Sequence, residues 1–206
     1  MSTICRLPLP LLMLASAGGA LAAAPAYEID PARSTIRITS PESPLAFDAS
    51  ISNLAGNLLL SRDQASPRSL DLVFDLSTLD SGNSSLNETL QGPSNLWVDR
   101  ERYGVTLVSD VRPSGPAKFR ADSTLTLRDS SCTAPVEFTW NIASEAGRSV
   151  GYLHGTTQIN ADDFHLLNGN AWDRVLTVTY DLRLTPATGL IPAVTRRLPD
   201  LSLIHI

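Results

Sequence analysis

The side chains that most often carry chemistry are few in this chain and lie far apart. Its three histidines are His154, His165 and His205. A zinc site needs three or four ligands at a suitable spacing. His154 and His165, with Asp162 and Asp163 near the second, do not supply that spacing. Histidines in surface or loop positions are the default interpretation, so the sequence predicts no metal site.

Nucleophilic catalysis also lacks its usual signatures. The chain contains no cysteine–histidine signature, and its Gly-x-Ser-x-Gly sequence at 147–151 leads into a predicted strand instead of the helix that a nucleophile elbow needs. Cys132 would be alone once an N-terminal segment holding Cys5 is removed, which excludes an intramolecular disulfide and a cysteine metal cluster. Asp80, Asp99 and Glu101 could pair as carboxylates for acid–base work, but a solvated turn is the commoner role for such residues. We therefore expect no enzyme, while a triad assembled from distant residues stays open.

Apolar side chains remain as functional candidates, and one stretch contains an unexpected element. Residues 69–76 alternate apolar and polar side chains, which predicts a half-buried strand. Turn-forming residues follow at 80–83. Leu86 and Leu90 then lie four residues apart, which places both on one face of a short helix. The Gly-Pro pair at 92–93 ends that helix, so the stretch predicts a helix inserted between two strands.

A helix inserted in an otherwise β chain needs a reason, and we expect it to cover an apolar cavity. Leu86, Leu90, Leu96 and Trp97 would form this lid. Residues 80–83 would form its hinge.

The rest of the chain alternates like a set of strands. Tyr103, Val105 and Leu107 are predicted to share one face after the insert. Residues 47–60 are predicted to form two short strands or one bent strand, with Gly56 as the bend or bulge. The clearest strand has one apolar face, formed by Leu176, Val178, Tyr180, Leu182 and Leu184. About eight such strands without βαβ alternation predict an all-β antiparallel sandwich or closed barrel. A barrel of that size holds one small ligand.

Both ends of the chain differ from this pattern. Arg6, an apolar run at 7–14 and the Ala-x-Ala site at 20–22 predict a signal peptide over 1–22 and export to the periplasm or the medium. Cleavage after Ala24 and an uncleaved anchor are the alternatives. No other segment could span a membrane. Residues 187–206 are expected to be a disordered tail or foreign sequence, and an acidic pI of about 5.1 without a basic patch argues against nucleic acid as a partner.

Four segments of the intervening chain together resemble a known family. They are the opening at 27–36, Leu-Ser-Thr-Leu-Asp-Ser-Gly-Asn at 76–83 with the helix after it, the strand–turn–strand at 119–136, and 157–164 before the last strand. In this order and spacing they resemble the YceI-like family of periplasmic polyisoprenoid-binding proteins, over about residues 27–185.

The sequence departs from the family pattern in its loops. Residues 128–131 stand where the family usually has a glycine, Ala161 stands in place of an arginine, and His165 in place of a glycine. Residues 96–99 are only similar to the usual Phe-Phe-Asp. These changes cluster in loops, so the resemblance implies the fold more strongly than it implies the ligand.

The resemblance implies a lipocalin-like antiparallel barrel over residues 23–186 with an elongated apolar tunnel. The ligand would be a polyisoprenoid lipid, such as one with a quinone tail, bound without chemistry and without any other cofactor. Whether the protein forms a homodimer stays an open question. The residues expected to line the tunnel and lid are Leu79, Leu86, Leu90, Leu96, Trp97, Val105, Leu107, Phe119, Leu125, Phe138, Trp140, Phe164, Leu166, Val178 and Tyr180.

Two other classes of protein remain open from the sequence. About eight alternating strands behind a signal peptide would also suit an outer-membrane β-barrel, although aromatic residues are only 6% of the chain and form no clear girdles. A structural or interaction module with a filled core is the other alternative.

Overall fold

A computed structural model describes residues 25–40, 47–62, 66–96, 98–166 and 175–187. The predicted signal peptide, most of the predicted tail and Trp97 lie outside these residues. Ten strands, one α-helix and two short 3₁₀ turns make up the described part. The strands are β1 Ala26–Ile29, β2 Thr35–Ser40, β3 Phe47–Ile51, β4 Leu54–Leu60, β5 Pro67–Asp75, β6 Tyr103–Gly115, β7 Lys118–Leu127, β8 Ser130–Glu145, β9 Arg148–Asn160 and β10 Val175–Pro186. The helix α1 is Ser84–Gln91, and the 3₁₀ turns are Leu76–Thr78 and Ala161–Phe164.

Eight of these strands close into an antiparallel barrel. The hydrogen-bonded order runs from β1 through β4, β5, β6, β7, β8 and β9 to β10, and β10 pairs again with β1. The hairpin of β2 and β3 pairs with the same edge of β10, where Tyr180 lies opposite Ile36. Closure leaves the eight strands without free edges. The predicted all-β barrel with a short helical insert is thereby confirmed.

The seam between β1 and β10 is short and is reinforced by charged side chains. Tyr27 lies opposite Pro186, and only three residue pairs form this part of the ladder. The backbone N–H of Asp30 donates to the Arg183 carbonyl at 2.8 Å. The Arg183 guanidinium also binds the Asp30 carboxylate and, at 2.7 Å, the Glu145 carboxylate. These contacts tie the first strand to the last at the barrel end where β10 finishes.

Alternation along the strands separates the core from the surface. The predicted apolar face of β10 is buried throughout, from Leu176 to Leu184. On β8, Phe138 and Trp140 are buried as well. Phe138 stacks on Phe119 with ring centroids 5.5 Å apart, and Trp140 meets Tyr27 edge-on at 5.3 Å. The barrel interior is therefore filled largely by aromatic and branched side chains.

The orientation predicted for β6 is wrong. Its inward face carries Gly104, Thr106 and Val108, whereas Val105 is half-buried and Leu107 is 41% exposed. Apolar residues occupy both faces of this strand, so alternation alone did not identify the inner one. A Cβ at Gly104 would collide with the ring of Phe74, which fills the interior at that point.

Residues 47–60 form two short strands, which is one of the two predicted alternatives, and the predicted bend at Gly56 is wrong. The chain turns between β3 and β4 at Asn53, which adopts a left-handed conformation with φ of 58°. Asparagine is one of the few residues that visits this region readily. Gly56 lies within β4, where a Cβ would collide with the backbone carbonyl of Asp71. The absence of a side chain at Gly56 therefore lets β4 approach β5 closely.

Candidate ligand-binding cavity

A cap closes one end of the barrel. We define the cap as α1 with its flanking residues 79–83 and 92–96. The Asn83 side chain caps the helix by accepting from the Leu86 N–H at 3.2 Å. Asp80 accepts from the Gly82 N–H at 2.8 Å and from the Asn87 side chain at 3.0 Å. The predicted short helix is confirmed, and its proposed hinge is a hydrogen-bonded turn.

Polar contacts attach the cap to the barrel rim. The backbones of Asp80 and Ser50 exchange two hydrogen bonds, at 2.8 and 2.9 Å, which join the start of the cap to β3. The Gln91 side chain donates to the Ser77 carbonyl, in the 3₁₀ turn before the cap, at 3.4 Å. Arg128 donates to the Asn95 carbonyl at 3.0 Å from the turn after β7. The cap is therefore joined to the rim on more than one side.

The carboxylate of Asp75 lies where the chain leaves and re-enters the barrel around the cap. It accepts from the Ser77 N–H at 3.0 Å and from the Asn53 side chain at 3.2 Å. The Arg102 guanidinium, just before β6, donates to it at 2.7 and 3.0 Å. These bonds, with Arg102 as the main cause, hold the pKa of Asp75 well below its usual range, although burial opposes the shift. Asp75 thus joins both ends of the segment that carries the cap.

A narrow apolar cavity of about 50 Å³ lies between the cap and the barrel interior. The cap contributes Leu79, Leu90, Asn95 and Leu96 to its wall. The barrel contributes Ile36, Ile38, Phe47, Phe74, Leu76, Leu125, Leu127, Ile159, Leu166, Leu176, Val178 and Tyr180. No charged side chain belongs to this wall among the described residues. The cavity therefore suits apolar groups.

A second, smaller cavity of about 10 Å³ lies further inside the barrel. Leu58, Leu70, Val136 and Leu153 are among its walls, and Tyr180 borders both cavities. Burial raises the pKa of Tyr180, and the neighbouring hydroxyls of Thr106 and Ser123 act in the opposite direction. The interior is thus two adjoining spaces with Tyr180 between them.

The residues predicted from the sequence to line the tunnel and lid differ in where the structure places them. Those that line the first cavity are Leu79, Leu90, Leu96, Leu125, Leu166, Val178 and Tyr180. Phe138 lines the second cavity, and Leu86 is half-buried against the core. Phe119, Trp140 and Phe164 are buried in the core and border neither cavity. Val105 and Leu107 are on the outer side of β6, and Trp97 lies outside the described residues.

Several cavity residues were missed by the sequence reasoning. Ile36 and Ile38 share the inner face of β2, and Phe74 and Leu76 continue the alternation of β5. Both patterns were visible in the sequence and could have identified them. Phe47 comes shortly after Pro41 and Pro44 in the sequence, and no alternation before it signals its inward position.

The residues weighed for other chemistry do not converge on one site. The Nδ1 atom of His154 lies 2.5 Å from the Asp181 carboxylate on the outer surface, and both side chains are more than half exposed. The Cys132 thiol lies 3.2 Å from the Asp163 carboxylate, and burial together with that carboxylate raises its pKa. Over the described ranges, no three His, Cys, Asp or Glu residues are placed to hold a metal ion. Within the same ranges, no helix has the length and apolar character needed to cross a membrane.

The fold and its interior define this protein as a closed antiparallel barrel with a capped apolar cavity. The model of the YceI-like domain matches residues 27–185. The chain therefore belongs to the YceI-like family. Among curated proteins, no sequence matches it.

Solved structures share the fold at low sequence identity. BcnA of Burkholderia cenocepacia is 17% identical with a TM-score of 0.65, covering 75% of this chain and 98% of its own. A polyisoprenoid-binding domain of Saccharophagus degradans is 14% identical with a TM-score of 0.61, covering 78% and 98%. The YCEI protein of Campylobacter jejuni is 11% identical with a TM-score of 0.62, covering 68% and 85%. At such low sequence identity, the structural similarity establishes a shared fold.

Proposed function

We propose that this protein binds a polyisoprenoid, or a similar long apolar molecule, without chemical change, and carries or sequesters it outside the cytoplasm. The observation that supports this best is the cavity beneath the cap, whose wall consists almost entirely of apolar side chains from several strands and from the cap. The structurally similar domain of Saccharophagus degradans is described as polyisoprenoid-binding, which supports the same proposal.

The binding free energy would come from burial of apolar surface. A prenyl chain is a string of apolar groups, and each methylene-sized group buried contributes about 0.8 kcal/mol. A wall of leucine, isoleucine and phenylalanine supplies such burial without polar contacts. Charged side chains are not needed for this, and none of those in the described ranges lines the cavity.

The cavity is smaller than the ligand we propose. Sites for small molecules typically measure about 300–1,000 Å³, against about 50 Å³ here. A polyprenyl chain therefore enters only if side chains and the cap move outward. The cap is suited to such a movement, because a helix of eight residues is not stable by itself and depends on its contacts with the rim.

Lipid content and binding test the proposal directly. The full chain is expressed in bacteria, and the protein from the periplasmic fraction is extracted with organic solvent for mass spectrometry. The lipid-free protein is then titrated with a prenyl quinone. We expect a copurified prenyl lipid and saturable uptake, and an intact mass that corresponds to cleavage after Ala22. Repeated absence of both lipid and uptake would contradict the proposal and favour a barrel with a filled core.

Two leucines provide a matched pair of variants. Leu90 lines the cavity from the cap, whereas Leu107 is 41% exposed on the outer side of β6. Leu90→Ala removes apolar contact worth about 1–2 kcal/mol, so the affinity for the quinone should fall roughly 5- to 30-fold. Leu107→Ala should leave it unchanged. Equal affinities of the two variants would place the ligand elsewhere.

A further inference from the structure

The two ends of the cap are attached to the barrel in different ways. At its start, the backbones of Asp80 and Ser50 exchange two hydrogen bonds, at 2.8 and 2.9 Å. At its end, the Arg128 guanidinium donates to the backbone carbonyl of Asn95 at 3.0 Å. The first contact joins two main chains, whereas the second depends on a long side chain that gains rotamer freedom when it lets go. The contact at the end of the cap is therefore the easier one to break.

The backbone of Arg128 adopts an unfavourable conformation. Leu127 pairs with Ser130, so Arg128 and Asp129 form a two-residue hairpin loop between β7 and β8. The φ angle of Arg128 is 56°. The first residue of such a loop usually has a positive φ, and glycine is the residue that adopts it without strain. Arginine is uncommon there and lowers the stability of the turn, and such strain is a reason to look for a function of the side chain.

The Arg128–Asn95 contact lies at the wall of the first cavity. Asn95 and Leu96, at the end of the cap, line this cavity, and so does Leu127, the neighbour of Arg128. The Asn95 side chain is buried and donates to the Thr89 carbonyl at 2.7 Å, which holds Asn95 within the cap. Loss of the contact with Arg128 would therefore separate the cap from the turn after β7 at a point that borders the cavity.

The entry of a lipid requires a separation of this kind. The cavity measures about 50 Å³, which is too small for a prenyl chain. With the start of the cap still bonded to β3, an outward movement of residues 92–96 would widen the cavity between Leu96 and Leu127. The side chain of Arg128 opposes this movement.

We infer that the Arg128–Asn95 contact is a latch that keeps the cap closed and limits the rate at which a lipid enters the cavity. This inference rests on the proposed function, because it assumes that a lipid enters there. It adds a control over the rate of uptake, and it explains the strained backbone of Arg128 by the contact that its side chain makes. Arg128 itself does not line the cavity, so its loss should change the rate without weakening the affinity.

Three variants separate the guanidinium from the backbone strain. Arg128→Ala removes the guanidinium and keeps a side chain at a positive φ. Arg128→Gly removes the guanidinium and the strain together. Ala146→Gly is the matched control, since Ala146 is the first residue of the two-residue loop between β8 and β9 and has a φ of 49°. That loop lies at the other end of β8 from Arg128, so the control relieves strain and leaves the latch intact.

Two kinds of measurement are made on the full-length protein and on each variant. Hydrogen–deuterium exchange of the lipid-free protein reports how often the cap opens, because its eight-residue helix depends on contacts with the rim. Stopped-flow tryptophan fluorescence then follows the uptake of a short-chain prenyl quinone that is soluble as a monomer. An equilibrium titration gives the affinity for the same quinone, and the thermal midpoint is measured alongside.

Both Arg128 variants should open the cap more often. The loss of one hydrogen bond from a half-buried, solvent-screened guanidinium should speed exchange of the cap amides and uptake of the quinone about 3- to 10-fold. The affinity should not fall, and Ala146→Gly should change neither rate. Arg128→Gly should melt at a higher temperature than Arg128→Ala, because glycine relieves the strain.

Unchanged exchange of the cap amides in both Arg128 variants would overturn the inference and leave the proposed function in place, because exchange needs no ligand. Faster exchange without faster uptake would also overturn it, as would an equal acceleration by Ala146→Gly. A weaker affinity without a faster uptake would show that Arg128 shapes the cavity and does not control the cap. Failure of the unchanged protein to bind the quinone would refute the proposed function and the control of uptake together, and exchange would still decide whether Arg128 holds the cap closed.

Discussion

Replacing the Asp75 carboxylate by an amide should destabilise the barrel where the cap is attached. In Asp75→Asn, one of the two oxygens becomes an NH₂ group, which donates and cannot accept. Arg102 donates to Oδ1 at 3.0 Å and to Oδ2 at 2.7 and 3.0 Å, and Asn53 donates to Oδ2 at 3.2 Å. At least one of these donors must therefore lose its acceptor, and the charge that attracts Arg102 is lost as well.

The expected loss of stability depends on how exposed the two charged side chains are. The Asp75 side chain is 1% exposed, but that of Arg102 is 56% exposed, so solvent screens part of the attraction. A hydrogen bond to a charged group contributes about 1.5–3 kcal/mol. We expect Asp75→Asn to lower the free energy of unfolding by about 2 kcal/mol. For a domain of this size that corresponds to a fall of roughly 4–8 °C in Tm.

The destabilisation caused by Asp75→Asn should be larger at neutral pH than at acid pH. The folded-state pKa of Asp75 lies below its unfolded value, which is about 3.9 for a free side chain. Its carboxylate therefore stabilises the folded state above about pH 4, and this contribution is lost as the pH falls further. The difference in unfolding free energy between the unchanged protein and Asp75→Asn should be full at pH 7 and clearly smaller at pH 3.

Urea denaturation followed by tryptophan fluorescence at several pH values measures this difference. Asp71→Asn is the control, because Asp71 is an exposed carboxylate on the same strand, and it should change the free energy by less than about 0.5 kcal/mol. A difference for Asp75→Asn that is the same at pH 3 and pH 7, or no larger than that of the control, would refute the role given to this carboxylate.

Three further predictions concern packing and reactivity. Leu90→Ala should lower the free energy of unfolding by about 2 kcal/mol, at the small end for a buried leucine because it borders a cavity; urea denaturation would check this. Gly151→Ala should cost about 1–3 kcal/mol by the same measurement, since the added Cβ would collide with the Trp140 indole. Iodoacetamide should alkylate Cys132 more slowly than free cysteine at pH 8, because its pKa is raised, and Asp163→Asn should speed the reaction; equal rates would contradict this.

Much of the fold followed from the sequence because local patterns were strong. The inner face of β10 contains only large apolar residues, and its outer face is polar, so period-two alternation was unambiguous. The helix was predicted from the spacing of Leu86 and Leu90 between a turn and a Gly-Pro pair. Both predictions were confirmed by the structure.

The errors arose where the deciding contact is distant in sequence. On β6 the inner face is set by Gly104, which is buried because the Phe74 ring of the neighbouring strand needs the space. The turn at Asn53 depends on a left-handed backbone conformation. Asparagine allows this conformation, but its presence in a sequence does not predict it. The cavity itself, and the meeting of Tyr180 with Thr106 and Ser123, depend on strands facing each other across the ring, which the alternation within single strands does not reveal.

The short seam between the first and last strands has a consequence for how the protein folds. Residue 27 lies opposite residue 186, so the ring closes only after nearly the whole domain has been assembled. Contacts so distant in sequence make folding slow, and the open sheet exposes apolar surface until then. Because β10 supplies Leu176, Val178 and Tyr180 to the cavity wall, the binding site forms in the same late step, and a lipid that fills the cavity would favour closure over the open chain.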